Sequence, residues 1–130
     1  MMSVSVTSSS IWVAAGGALG AVMRYWLVLA IGRLMPMRFP WGTLCVNMLG
    51  CWLIGLVAAV LLQHTDQSGI WKSFLIVGCL GGFTTFSAFS YEWLQLMQDS
   101  MSAEALFYLV ATVVVTLSAT WLGFRLGSRF

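Results

Sequence analysis

Four apolar runs, each about as long as a membrane-crossing helix, are divided by breaks too short to hold a folded domain. A bilayer hydrocarbon core of about 30 Å takes roughly twenty helical residues, and the runs fall near 11–33, 41–62, 71–97 and 103–126. Arg33, Pro36, Arg38 and Pro40 mark the first break, His64 to Ser68 the second, and Asp99, Ser100 and Ser102 the third. With 60% hydrophobic and 8% charged residues, the chain has too little polar surface to cover a water-soluble globule. The expected fold class is therefore an all-α membrane protein of four transmembrane helices. Residues 1–10, rich in Ser and Val and lacking Lys and Arg, read as a short flexible tail rather than a signal peptide. Residues 11–130 form one transmembrane domain, with both termini on the same side.

Charge placement narrows the function classes. The six Lys and Arg are scattered, so no basic stripe exists to neutralise a nucleic-acid backbone. Lys72, Arg125 and Arg129 lie on the side of the termini, and Arg33 and Arg38 on the other. That balance barely biases orientation under the positive-inside rule. Such a chain can insert both ways up, which permits an antiparallel dimer of identical subunits; a single fixed orientation is the other reading. Cys45, Cys51 and Cys79 sit inside apolar runs and read as free thiols, and His64 has no ligand partner at metal-site spacing. No nucleophile, base and orienting acid can be assembled, so the chain is not expected to be an enzyme.

Polar groups at membrane depth mark function, because each is costly unless protein or water shelters it. In the first run, Gly16, Gly17 and Gly20 permit close helix approach and lead to Arg24. Arg24 either snorkels towards the end of its span or helps to shape a polar vestibule. In the second, Thr43 and Asn47 are one turn apart on one face, and the Asn47 amide offers N–H donors that can replace part of an anion's hydration shell. Its plainer reading is a hydrogen bond to a neighbouring helix. In the third, Gly81–Gly82 and Thr84–Thr85 weaken a continuous helix in mid-membrane, and a break there frees backbone groups that bind ions. Phe86 and Phe89 follow, three residues apart, either as packing or as rings whose positive edges favour an anion. Glu92 either pairs with an arginine or faces an aqueous vestibule. In the fourth run Tyr108, Thr112, Thr116 and Thr120 recur every four residues as a hydroxyl ladder.

On these residues the chain resembles the Fluc (CrcB) family of fluoride channels. The resemblance rests on Gly16, Gly17, Gly20 and Arg24; on Gly42, Thr43, Leu44, Val46 and Asn47; and on Gly81 to Ser90, each motif on its own span. It implies an antiparallel, dual-topology homodimer in a bacterial inner membrane, with two fluoride pathways along the subunit interface and passive export of cytoplasmic fluoride. It places Phe86 and Phe89 as the pore phenylalanines, Asn47 as the pore asparagine, and Ser87, Ser90, Tyr108, Thr112 and Thr116 along the polar path. Arg24 falls near a vestibule, and the backbone carbonyls of Gly81 and Thr84 fall where a central structural sodium ion is held. Ala88 stands where a threonine is usual and Phe83 where a leucine is common.

The main alternative is a proton-coupled exporter of the small multidrug-resistance type, also a four-helix chain that inserts in two orientations. That chemistry needs an exchangeable carboxylate deep in the first span, where this chain carries Arg24 and no acid. A non-conducting assembly subunit would need no hydroxyl ladder.

Overall fold

The computed structural model describes residues 6–35, 38–63 and 69–130. The expected break at His64 to Ser68, and Pro36 within the first break, lie outside these. Six α-helical segments and one π-helix make up the described chain: α1 (Val6–Leu34), α2 (Trp41–Gln63), α3 (Gly69–Trp71), the π-helix (Lys72–Leu80), α4 (Gly81–Phe83), α5 (Phe86–Gln98) and α6 (Ser102–Gly127). Four helices are long and apolar enough to cross a membrane, the third being the whole of Gly69–Gln98. The first starts at Val6, inside the segment expected to be a tail, because Val6 to Ser10 continue the helix N-terminally and Ser10 bonds back to the Val6 carbonyl at 2.8 Å.

Helix packing here is set by small residues, as expected where lipid removes the hydrophobic drive between helices. α2 lies mainly along α6, and α1 along the π-helix and α4. A Cβ at Gly123 would strike the Trp52 carbonyl oxygen, and one at Gly20 would strike that of Cys79, so both contacts bring backbone directly against backbone. Large side chains such as Trp26, Leu117 and Trp121 point outward into the space lipid occupies.

The third span departs from regular helix twice. Over Lys72–Leu80 the turns widen, and the Gly81 N–H that follows bonds the Ile76 carbonyl five residues back. At mid-span Thr84 (φ −78°, ψ 156°) and Thr85 (φ −153°, ψ 124°) are extended, ending α4 and letting α5 begin at Phe86. A tight turn then joins α5 to α6. Ser100 adopts φ 61°, the Ser100 N–H bonds the Met97 carbonyl and the Met101 N–H bonds that of Leu96 at 2.9 Å, the left-handed closure usually made by glycine.

Candidate ion pathway

Two extended residues in mid-membrane expose backbone groups that hydrocarbon cannot satisfy. Asn47 satisfies those of Thr85. Its Nδ2 donates to the Thr85 carbonyl at 2.9 Å and its Oδ1 accepts the Thr85 N–H at 2.7 Å, with the side chain only 6% exposed. One Asn47 N–H remains beyond this pair. Thr84 turns inward: its N–H and hydroxyl both donate to the Leu80 carbonyl, at 3.0 and 2.9 Å. The Thr85 hydroxyl caps α5 by accepting the Ala88 N–H at 3.1 Å, and lies 3.1 Å from the Ser87 hydroxyl. Gly50 makes room for the arrangement, since a Cβ there would collide with the Thr84 methyl.

The diverted Thr85 N–H has a second consequence. In an unbroken helix it would bond the Gly81 carbonyl, so that oxygen loses its helical partner. Gly81 is exposed and Thr84 half-buried on the same side of the break.

Aromatic rings follow the break. Phe86 and Phe89 are 5.2 Å apart between centroids at 54°, and Phe89 and Tyr108 4.9 Å apart at 58°. Their exposures differ sharply: Phe89 is 4% and Tyr108 0% exposed, whereas Phe86 is 75% exposed at mid-span. Ser87 and Ser90 are also exposed. Phe86 and its serine neighbours thus stand on the surface of the chain, and Phe89 and Tyr108 inside it.

Glu92 gathers the other end. Thr43 donates to its Oε1 and Tyr108 to its Oε2, each at 2.7 Å, tying α2, α5 and α6 to one carboxylate. Of the two readings of Glu92, the arginine partner is not met within the chain, where its partners among the described residues are these two hydroxyls. The alternative of a vestibule agrees with the geometry, since Glu92 lines a cleft of about 620 Å³ together with Arg38, Phe39, Trp41, Thr43 and Asp99. Glu92 lies one turn past Phe89, and Thr43 one turn before Asn47, so helical spacing carried the signal for this meeting, though not the meeting itself.

The ladder on α6 divides. Thr116 and Thr120 donate to the carbonyls one turn back, at 2.7 and 3.0 Å, the usual way a threonine hides in a helix. The Thr112 hydroxyl is buried and finds no hydrogen-bond partner among the described residues. Arg24 is half-buried and continues the face of Gly16 and Gly20, the face turned towards the third span. Among the described residues no group of three His, Cys, Asp or Glu side chains could hold a metal.

A sequence model of the family described as "CrcB-like protein, Camphor Resistance (CrcB)" matches residues 11–124. The chain belongs to the CrcB family. CrcB relatives from bacteria share most of its length. One from Thermus thermophilus is 46% identical over 115 residues, 88% of this chain and 91% of that one. Another, from Acidobacterium capsulatum, is 41% identical over 119 residues, 92% and 95% of the two chains. A third, from Agrobacterium fabrum, is 42% identical over 115 residues, 88% and 92%. All three are named "Fluoride-specific ion channel FluC". With four spanning helices, this CrcB chain is a multi-pass membrane protein of a bacterial family.

Proposed function

We propose that the chain is a fluoride-selective channel, assembled as an antiparallel homodimer with two pathways, that lets cytoplasmic fluoride leave passively across a bacterial inner membrane. One structural observation carries the reading: a series from exposed Phe86 through buried Phe89 and Tyr108 to a carboxylate-lined polar cleft, adjoining a mid-membrane helix break. The names of the relatives point to the same ion. Fluoride holds water tightly, so its pathway must offer replacement donors without any site deep enough to trap it. Ring edges of Phe86 and Phe89, the remaining Asn47 N–H, and the hydroxyls of Ser87, Ser90 and Thr112 supply such weak, neutral sites, while the Tyr108 and Thr116 hydroxyls line the path with their hydrogens already given to Glu92 and the Thr112 carbonyl. In the antiparallel homodimer a second copy would cover Phe86, which is 75% exposed at mid-span beside exposed Ser87 and Ser90, and an interface pathway would run there.

A central sodium ion, implied by the family resemblance, fits the donor set at the break. The Gly81 carbonyl is released from its helical bond, and hard carbonyl oxygens of Gly81 and Thr84 suit a hard cation. When bound, the ion supplies a positive charge that lowers the cost of an anion in a low-dielectric interior. Asn47 does its part without the ion, by holding Thr85 extended so that those carbonyls stay free. The proton-coupled exporter reading lacks support, since α1 carries no carboxylate.

Protein reconstituted in liposomes is expected to discharge a fluoride gradient while chloride stays trapped. Phe86→Ile and Phe89→Ile should each abolish most of that flux with the dimer retained. Unchanged flux in both would remove the rings from the mechanism, and absence of fluoride flux in the parent protein would end the channel reading.

A further inference from the structure

Tyr108 serves a pathway only while its ring is held in one rotation, and its hydroxyl reaches Glu92 across a single 2.7 Å bond. Phe89 is one ring against it. The other is Phe39, at 5.4 Å and 75°, an edge-to-face contact. Phe39 belongs to none of the spanning helices. It comes from the connection between α1 and α2, where its carbonyl accepts the Trp41 N–H at 2.9 Å. Its ring also meets Trp41 at 4.6 Å and Phe107 at 5.6 Å, so it is gripped from two elements. Phe39 lines the cleft beside Thr43 and Glu92 as well. One loop residue therefore touches both the cleft and the ring series that runs to Phe86.

Edge-to-face contacts are directional: the positive rim of one ring sits on the negative face of the other. An aliphatic side chain of similar volume fills the same space without fixing a neighbour's rotation. We infer that Phe39 is a positioning residue of the ion pathway, holding the Tyr108 ring so that its hydroxyl stays on Glu92 at the cleft end of the Phe86–Phe89–Tyr108 series. The inference rests on the channel reading above. Its rival is plain core packing, because Phe39 also packs against the cluster of Leu44, Phe89, Leu96, Ala105 and Tyr108. The two differ in whether the effect of losing the ring passes through the Tyr108 hydroxyl.

A double-mutant cycle on reconstituted protein separates them. Phe39→Leu is expected to lower fluoride flux roughly tenfold, the upper end of what one edge-to-face contact is worth, with dimer yield unchanged. Phe39→Trp, which restores a ring, should recover most of it. In a Tyr108→Phe background, Phe39→Leu should change flux less than about twofold, because there is no hydroxyl left to position. Parental flux in Phe39→Leu, or the same tenfold loss in both backgrounds, overturns the inference; Phe39→Met carries the same cycle if the leucine variant does not assemble. A parent protein that passes no fluoride sinks the channel reading itself, whereas a conducting parent with an indifferent Phe39 sinks only this proposal.

Discussion

Asn47 is the residue on which the break depends, and the reason is arithmetic of donors and acceptors. Thr85 presents one N–H and one carbonyl in a region without water, and a single amide matches both. Asn47→Leu leaves the pair unsatisfied at about 1–3 kcal/mol for each group. It should lower thermal stability in detergent by an amount visible as a shifted melting midpoint, together with loss of flux. Asn47→Asp keeps the acceptor for the N–H but turns a second acceptor on the Thr85 carbonyl, so it should fall nearer to Leu than to the parent. Thr85→Ala is the contrasting case. Both Asn47 bonds go to backbone and survive; the losses are the α5 cap, at about 1 kcal/mol, and the 3.1 Å contact of the Thr85 hydroxyl with that of Ser87. A melting scan that ranks Thr85→Ala below Asn47→Leu would contradict this assignment. That Asn47 is polar at depth is plain from the sequence; its partner lies 38 residues away and is fixed by how α2 meets the third span, which no local pattern encodes.

Elements in this chain are written by two different signals, and only one of them can be read along a single strand of sequence. Apolar length specifies the four spans, because crossing a bilayer core takes roughly twenty helical residues or more, and the structure places all four. Weak helix formers at Gly81–Gly82 and Thr84–Thr85 specify that the third span is vulnerable, yet the glycines stay helical and the threonines extend. The difference is tertiary: Asn47 waits opposite Thr85, while Gly82 is pressed against the Gly17 backbone, with its missing Cβ only 2.6 Å from that carbonyl oxygen. The π-helix of Lys72–Leu80 has no compositional mark, since it is less apolar than α2 and more so than α6, both regular α-helices. Contacts between elements likewise decide the fate of glycine substitutions. Gly123→Ala drives a methyl into the Trp52 carbonyl at the α2–α6 contact and should destabilise the fold by about 1–3 kcal/mol. Gly32, with nothing within 4 Å, meets no such wall. Gly32→Ala should gain up to about 1 kcal/mol from helix propensity. Unfolding of the two variants side by side measures the contrast, and an equal response would show that backbone contact does not hold α2 to α6.

At the scale of the whole molecule, the charge balance and the bare Phe86 pose one question: whether copies insert in opposite senses. Three cations on the side of the termini against two on the other leave the insertion machinery almost no preference. Two variants with changes away from the ring series and the cleft would force a choice. Arg33→Gln with Ser128→Lys gives four cations against one, committing the termini to the cytoplasm. Lys72→Gln and Arg129→Gln with Ser102→Lys gives one against three, committing them to the opposite side. Each variant expressed alone is expected to leave Phe86 without its antiparallel complement and to carry little fluoride; expressed together, they should restore flux and co-purify as a heterodimer. Orientation is read by labelling a cysteine placed at the C-terminus in intact cells. Full flux from either committed variant alone would mean that copies inserted in one sense suffice, and the antiparallel pairing would then be no part of the pathway.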